Sequence, residues 1–114
     1  MITKDTIDSI IQFRNERDWG QFHTIKDLCL GLGIEVAELQ EIFLWKNNQE
    51  LSDIVVNKHD AIGEEIADIF IFLAYISNDL GIDLNEVINR KIVKNNEKYP
   101  IERAKGSSKK YNEL

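Results

Sequence analysis

The chain has 114 residues, 43% hydrophobic and 30% charged, which is typical of a globular protein with room for one domain of ordinary size. Fourteen basic against twenty acidic residues give a formal net charge of −6. This balance disfavours a nucleic acid polymer as partner, because binding a phosphate backbone needs a basic surface. Cys29 is the single cysteine, which excludes an intrachain disulfide and a cysteine-rich zinc site.

No segment for export or membrane insertion is predicted. Asp5 and Asp8 stand where a signal peptide has a basic and then an apolar region. The longest strongly apolar run, residues 69–76, is far shorter than the roughly 20 residues that cross a bilayer. We therefore expect a cytoplasmic protein without a membrane partner.

An all-α fold is predicted, and its first part is expected to be a helix followed by a linker. The chain has one proline and six glycines, so it has few of the turn residues that separate short strands. A helix is predicted over residues 4–17, with Thr3 or Asp5 as its cap. Its residues at helical spacing are Ile7, Ile10, Ile11 and Arg14. Residues 18–23 are predicted to form a linker.

A long second helix is predicted from Thr24 to about Trp45, with leucine, isoleucine and phenylalanine on one side. Gly31 and Gly33 lie inside it, and each costs about 1 kcal/mol relative to alanine. Such glycines indicate close approach by another helix or a ligand, and a local kink is the alternative.

The remaining elements predict two more helices. Residues 46–57 form a polar connection with room for a short helix over residues 51–56, and a third helix is predicted over residues 60–80, before Gly81. A fourth is predicted from Asp83 to about residue 98, and residues 100–114 are predicted to be an extended tail. The expected fold is a four-helix bundle in a single domain over residues 1–114.

The third predicted helix is apolar on every side over residues 69–76. A helix of a small monomeric bundle keeps one face polar. We therefore predict a homo-oligomer with this helix at its centre.

Acidic residues three apart occur on the two longest predicted helices. Glu35 and Glu38 share a face of the second helix, and Glu65 and Asp68 share a face of the third. Their neighbours are largely apolar. If the two helices pack antiparallel, the four carboxylates converge, and a hard divalent cation such as Mg²⁺ or Mn²⁺ would offset their repulsion. The alternative is that each pair lies on a solvated helix face.

Other polar and aromatic residues permit two interpretations. Trp19 and Trp45 are side chains either for packing or for stacking on a base. His23 and His59 are possible metal ligands, but neither follows a glutamate at the spacing of di-iron helical bundles. A di-iron oxidoreductase is therefore a remote hypothesis.

The combined motifs resemble the all-α nucleoside triphosphate pyrophosphohydrolases, the MazG-like family, and within it the dCTP pyrophosphatase branch. The resemblance rests first on Glu-Val-Ala-Glu over residues 35–38 and Glu-Ile-Ala-Asp over residues 65–68. Residues 17–24, 38–45, 91–100 and 106–114 extend it over nearly the whole chain.

This resemblance implies hydrolysis of a nucleoside triphosphate to the monophosphate and pyrophosphate. It implies Mg²⁺ bound by Glu35, Glu38, Glu65 and Asp68, and a homo-oligomer, commonly a tetramer. The family mechanism is attack of an activated water at the α-phosphorus, and we assign Glu38 as its general base. A role in removing unwanted nucleotides follows.

The resemblance also implies a substrate site. The residues matching positions around the base are Trp19, Phe22, His23, Trp45 and Phe72, and those matching phosphate positions are Lys91, Asn95, Lys110 and Tyr111. Phe72 stands where close relatives often have tyrosine, so one hydroxyl contact is missing. Preference for dCTP is therefore only a leaning, and the competing hypothesis is a non-catalytic helical module that binds a partner.

Overall fold

The computed structural model describes residues 2–114, and its regular elements are all helical over that range. The α-helices are α1 (Lys4–Glu16), α2 (Ile25–Phe43), α3 (Asn48–Asn57), α4 (His59–Asp79), α5 (Leu84–Lys98) and α6 (Ile101–Ala104). Two short 3-10 helices lie at Trp19–Phe22 and Tyr111–Glu113. The prediction of an all-α fold is confirmed, and six α-helices are present in this range where four main helices were predicted.

Polar side chains cap the starts of four helices. Thr3, Thr24, Asn47 and Asp83 each accept a hydrogen bond from the backbone N–H three residues ahead, over 2.9 to 3.2 Å. A cap of this kind stabilises a helix by about 1 kcal/mol. The predicted cap at Asp83 is confirmed, and Thr3 is the cap of α1.

The connection predicted over residues 46–57 is largely helical. Asn47 caps α3, and Leu51 and Ile54, three residues apart, are partly buried. Because α3 packs against both α2 and α4, tertiary contacts extend the short helix that the sequence alone predicted. The second predicted helix ends earlier than expected, at Phe43, and Trp45 then adopts a left-handed backbone conformation with φ 65°.

The chain forms two compact units, one up to Leu80 and one over Gly81–Leu114. The first contains α1 to α4, and the second contains α5 and α6. A single domain over residues 1–114 stays a prediction.

The end of the second unit is not extended, contrary to the sequence prediction. It forms one helical turn, α6, and the 3-10 helix Tyr111–Glu113. The Lys98 ammonium lies 4.9 Å from the centroid of the Tyr111 ring, and the Tyr99 and Tyr111 rings are 6.2 Å apart. These contacts hold the last residues against the end of α5.

The first unit is built on the packing of α2 against α4, which is its most extensive helix pair. Gly31 of α2 faces Phe72 of α4, and one turn further along α2 Glu35 lies beside Glu65 of α4. Rising numbers on one helix therefore face falling numbers on the other, so the two helices run antiparallel.

Close approach of α2 and α4 explains one of the two helical glycines. A Cβ atom at Gly31 would lie 2.5 Å from Cε1 of Phe72, so no larger residue fits without displacing that ring. Gly33 has no neighbouring atom within 4 Å of such a position. The close-approach interpretation is confirmed at Gly31 and does not apply at Gly33.

Few large apolar side chains of the first unit are fully buried. Leu28 and Ala74 are 1% exposed, whereas Leu30 and Ile34 of α2 are about 60% exposed and Phe70 of α4 is 43% exposed.

No helix in residues 2–114 combines the length and the hydropathy needed to cross a membrane.

Candidate active site

Three carboxylates converge where α2 and α4 pack together. Glu35, Glu38 and Glu65 each contribute one oxygen to a group whose members all lie within 4.8 Å of one another. Glu35 and Glu38 share a face because they are three residues apart on α2, and the antiparallel packing of α4 brings Glu65 against them. The structure thus brings together three of the four predicted metal ligands, which we call the carboxylate cluster.

The carboxylate cluster is electrostatically unsatisfied. Oε2 of Glu35 and Oε2 of Glu65 are buried and have no hydrogen-bond partner among the described residues. Burial raises the pKa of Glu35 to about 7, and contact with Glu65 and the charges of Glu38 and Asp68 act in the same direction. Burial also raises the pKa of Glu65, assisted by the charges of Glu38 and Asp68.

Asp68 lies beside this cluster, one turn after Glu65 on α4. Its charge raises the pKa values of both Glu35 and Glu65, although its oxygens are not among the three that converge within 4.8 Å. Asp68 also lines a neighbouring cavity. It therefore connects the carboxylate cluster to the space in which a ligand can lie.

The donor set of the carboxylate cluster fits a hard divalent cation. All three convergent groups are carboxylates, and no imidazole or thiolate belongs to this group in residues 2–114. All-oxygen ligation suits Mg²⁺ or Mn²⁺. A cation would also give the two buried, unpartnered oxygens the partner that they lack, which supports the fit on grounds independent of the motif.

A cavity of about 460 Å³ adjoins this cluster within the first unit. Its lining comprises Thr6, Ser9, Ile10, Phe13, Trp19, His23, Asp68, Ile71, Phe72 and Tyr75. Most of these side chains are apolar or aromatic, and Asp68 is the single carboxylate among them. A largely apolar cavity with a few polar groups is the usual form of a small-molecule site.

Five rings of this lining form a continuous wall, which we call the aromatic wall. They are Phe13, Trp19, His23, Tyr75 and Phe72, in spatial order. Their successive centroids are separated by 5.6, 6.4, 5.2 and 6.2 Å. Such a wall offers flat faces and ring edges to a planar ligand.

The predicted base-contacting residues divide into two groups. Trp19, His23 and Phe72 belong to the aromatic wall. Phe22 and Trp45 are not part of the cavity lining, and their side chains are 65% and 90% exposed. Any role of these two residues at the base stays a prediction.

The predicted phosphate-contacting residues all lie in the second unit. Lys91 and Asn95 are one turn apart on α5, and Lys110 and Tyr111 lie at the end of the chain, where Tyr111 contacts Lys98. Their roles also stay predictions.

Sequence reasoning missed Tyr75, Arg14 and Asp79. Tyr75 was hidden in an apolar run, yet it is part of the aromatic wall and brings a hydroxyl group into a lining from which Phe72 lacks one. Arg14 is 6% exposed and forms an ion pair with Asp79. The available signal was a charged residue on the isoleucine face of the first helix, which indicates a buried partner.

Comparison with known families decides the classification. A family model described as the MazG-like family matches residues 31–114, which is most of the chain. The chain belongs to the MazG-like family. The match includes all four acids of the predicted metal site and excludes α1, which supplies Arg14 and part of the cavity lining.

Related proteins of similar sequence support the same classification. This MazG-like chain is 37% identical to human dCTP pyrophosphatase 1 and 35% identical to the mouse protein of that name, over 105 residues in each case. These regions cover 90% of this chain and 62% of each relative, so the chain spans less than two thirds of their length. A crystal structure of a pyrophosphatase from Archaeoglobus fulgidus superposes with a TM-score of 0.81 at 37% identity, covering 85% of this chain and 91% of that one.

Proposed function

We propose that this protein hydrolyses nucleoside triphosphates or deoxynucleoside triphosphates to the monophosphate and pyrophosphate. The observation that carries the proposal is the carboxylate cluster, with its two buried and unpartnered oxygens, beside a cavity that has an aromatic wall. The names of the relatives, dCTP pyrophosphatase and pyrophosphatase, support the reaction class.

Glu35, Glu38, Glu65 and Asp68 are proposed to hold Mg²⁺, for which Mn²⁺ can substitute. When bound, the cation would supply positive charge that offsets the substrate phosphates and would make water at the site more acidic. Glu38 is proposed as the general base, because its side chain is exposed whereas Glu35 and Glu65 are partly buried. An exposed carboxylate can accept a proton from a water and release it to solvent.

The aromatic wall is proposed to hold the nucleobase. Stacking on Trp19 or Phe72 would bury the faces of a base, and His23 would meet its edge. Phe22 and Trp45 are proposed to complete the base site. Preference for dCTP or a related nucleotide is supported by the names of the relatives.

Four residues are proposed to contact the phosphates: Lys91, Asn95, Lys110 and Tyr111. Lys91 and Asn95 share one face of α5, and Lys110 and Tyr111 are proposed to close over the substrate. Eight of the fourteen basic residues lie after residue 80, so this part of the chain concentrates the positive charge that an anionic substrate needs.

A homo-oligomer, with a tetramer as the expected form, is proposed for this MazG-like protein. Leu30 and Ile34 share a face of α2, and Ile66 and Phe70 share a face of α4, and these four side chains are 43 to 60% exposed. Association would remove this apolar surface from water. We further propose a four-helix-bundle protomer acting in the cytoplasm to remove unwanted nucleotides.

Product analysis tests the proposed reaction. A panel of canonical and modified nucleoside triphosphates is incubated with Mg²⁺, and the products are identified by phosphorus NMR. The expected products are a monophosphate and pyrophosphate, with omission of Mg²⁺ as the control. Release of orthophosphate in place of pyrophosphate would contradict the proposed reaction, and no turnover of any nucleotide would favour the non-catalytic binding module.

A further inference from the structure

Arg14 is a buried cation on α1 that lies behind the aromatic wall. It is 6% exposed, and its guanidinium donates two hydrogen bonds to Asp79 of α4. Nη1 donates to Oδ2 at 2.8 Å, and Nη2 donates to Oδ1 at 2.7 Å. This bidentate geometry fixes both the distance and the relative orientation of the two groups.

The same guanidinium holds an aromatic ring of the wall. Its Cζ atom lies 4.9 Å from the centroid of the Tyr75 ring, which is within the range of a cation–π contact. Tyr75 is only 4% exposed, and its ring centroid is 5.2 Å from that of His23. A chain of contacts therefore runs from the Arg14–Asp79 ion pair through Tyr75 to His23.

His23 has an unused polar atom. Its Nδ1 is buried and has no hydrogen-bond partner among residues 2–114. Burial lowers the pKa of His23, the positive charge of Arg14 lowers it further, and the negative charge of Asp79 acts in the opposite direction. Burial and Arg14 therefore favour the uncharged imidazole, which has one nitrogen as donor and the other as acceptor.

The charged and titratable groups around His23 come from two helices. Arg14 belongs to α1, and Arg17 lies one turn further along the chain with its guanidinium 3.7 Å from the Phe13 ring centroid. On α4, Tyr75 contacts His23, Asp79 pairs with Arg14, and Asp68 lines the same cavity.

We propose that the Arg14–Asp79 ion pair is a positioning device for the aromatic wall, which fixes Tyr75 and through it presents His23 to a neutral heteroaromatic ring. This inference rests on the proposed function, and it assigns to the pair a role beyond joining α1 to α4. The ligand chemistry it implies is a nucleobase edge with a donor and an acceptor in reach of one imidazole.

The two members of the ion pair can be separated by the sign of their effects on His23. Arg14→Met and Asp79→Asn break the same contact, so a pair that only joins α1 to α4 predicts a loss of stability in both variants and no change in ligand binding at His23. The two charges also act directly on His23, and this effect differs in sign between the variants. Loss of Arg14 leaves the Asp79 charge uncompensated and raises the pKa of His23, whereas loss of Asp79 leaves the Arg14 charge and lowers it.

Proton NMR titration of the imidazole signals measures this directly in the full-length protein. The chain has two histidines, so His59→Gln assigns the signals and His59 serves as the internal reference. Lys4→Met is the matched control, because it removes a cation from an exposed ion pair of α1. We expect opposite displacements of the His23 titration midpoint in Arg14→Met and Asp79→Asn. Displacement of both in one direction, or of neither, overturns the proposal.

A binding measurement then tests whether the positioning serves a ligand. The probe is the α,β-methylene analogue of dCTP with Mg²⁺, since that analogue resists cleavage between its first two phosphates. We expect it to shift the His23 signal and to bind Arg14→Met on the order of fivefold more weakly than the unaltered protein. Equal affinity for the two proteins, or an unmoved His23 signal, overturns the proposal.

These outcomes are distinct from failure of the proposed function. If the analogue binds with the expected pattern but the protein releases no pyrophosphate from dCTP, the positioning role stands and the hydrolytic function fails. If pyrophosphate is released but both variants move the His23 midpoint in one direction, the reaction stands and the positioning role fails. Arg14→Lys provides a second test if Arg14→Met does not fold, because lysine keeps the charge and loses the bidentate contact.

Discussion

Two partly buried acids of α4, Glu65 and Asp79, have opposite electrostatic surroundings. Near the start of the helix, Glu65 lies against Glu35 and Glu38. Burial and the charges of Glu38 and Asp68 raise its pKa, and the contact with Glu35 acts in the opposite direction. At the end of the same helix, Asp79 lies against Arg14, whose hydrogen bonds lower its pKa. The Arg14–Asp79 pair balances its charges within the protein, although Nε of Arg14 is buried without a hydrogen-bond partner among the described residues. The carboxylates of the cluster form no ion pair with a basic residue in the described part of the chain, and we propose that a cation from solution supplies the missing charge.

The largest expected effect comes from removing a charge from the proposed metal site. Glu38→Gln and Asp68→Asn should each lower kcat for nucleotide hydrolysis by about a thousandfold, because each removes a proposed metal ligand without changing side-chain volume. Pyrophosphate release measures the effect, and thermal unfolding checks that the fold is retained. Glu41→Gln is the matched control, since Glu41 is exposed and does not belong to the cluster. Full activity in both variants would contradict the assignment of the site.

Breaking the Arg14–Asp79 ion pair should affect the stability of the protein more than its catalytic rate. Arg14→Met is expected to lower the free energy of unfolding by about 2–3 kcal/mol, because it leaves the Asp79 carboxylate without its partner. The loss is smaller than for a fully buried pair, since the Asp79 side chain is 24% exposed. Urea denaturation measures the change.

The control for that measurement is Lys4→Met, which removes one partner of an ion pair whose side chains are 88% and 60% exposed. It should change the free energy of unfolding by about 0.5 kcal/mol or less. Equal losses in Lys4→Met and Arg14→Met would show that the Arg14–Asp79 pair contributes no more to the free energy of unfolding than an exposed ion pair does.

The acidity of the solution should distinguish Asp79 as well. Its folded-state pKa lies below the usual 3.8, so the stabilisation by the pair is present above that value and is lost as the pH falls through the folded-state pKa. We expect the difference in stability between the proteins with Asp79 and with Asp79→Asn, both carrying His23→Gln so that the imidazole does not titrate, to be constant between pH 5 and 7 and to shrink in acid. A denaturation series from pH 7 to 2 measures it, and a difference that grows in acid would contradict the assignment.

The glycine contacts between α2 and α4 give a smaller and more local test. Gly31→Ala should lower the free energy of unfolding by about 1 kcal/mol, because overpacking against Phe72 outweighs the gain in helix propensity. Gly33→Ala meets no atom within 4 Å and should raise it by up to about 1 kcal/mol. Chemical denaturation of the two variants measures both effects, and a gain in Gly31→Ala would show that the two helices are not in close contact there.

The smallest expected effect is the pH dependence of the carboxylate cluster. Because the folded-state pKa of Glu35 is raised from 4.5 to about 7, the folded protein holds this proton more tightly than the unfolded chain does. The metal-free protein should therefore lose stability as the pH rises from about 5 to 8. Mg²⁺ competes with the proton, so its stabilisation should be greater at pH 8 than at pH 6.

A shift of about 2–5 °C in Tm on addition of Mg²⁺ at pH 8 is expected from differential scanning fluorimetry. The matched control is Glu35→Gln, in which the dependence of that shift on pH should be weaker. An Mg²⁺ effect that is larger at pH 6 than at pH 8 would contradict this account of the cluster.

Much of the first unit could be predicted from local pattern. The helical spacing of apolar residues defined α1, α2 and α4, and the caps at Thr3 and Asp83 marked helix starts, because these signals depend on neighbours within one turn. The convergence of Glu35 and Glu38 with Glu65 also followed from spacing, once two adjacent long helices were assumed to pack antiparallel.

Features that depend on contacts between residues far apart in the chain could not be predicted from the sequence. The full length of α3 follows from packing against α2 and α4, and the folded end of the chain depends on contacts of Tyr111 with Tyr99 and Lys98. Tyr75 is hidden in the apolar run over residues 69–76, and no local signal marks Asp79 as an ion-pair partner. Their roles emerge only once Arg14, more than 60 residues earlier, is known to lie beside them. A sequence read alone shows which faces carry charge, but the partner across the bundle decides whether that charge is satisfied.

The most direct test of the central claim is a crystal structure of the protein grown with Mn²⁺ and the α,β-methylene analogue of dCTP, with anomalous data collected at the manganese edge. We predict an anomalous peak at ligand distance from oxygens of Glu35, Glu38 and Glu65, with Asp68 completing the protein ligands and the base against the aromatic wall. An analogue bound in the cavity with no manganese at the carboxylate cluster would contradict it.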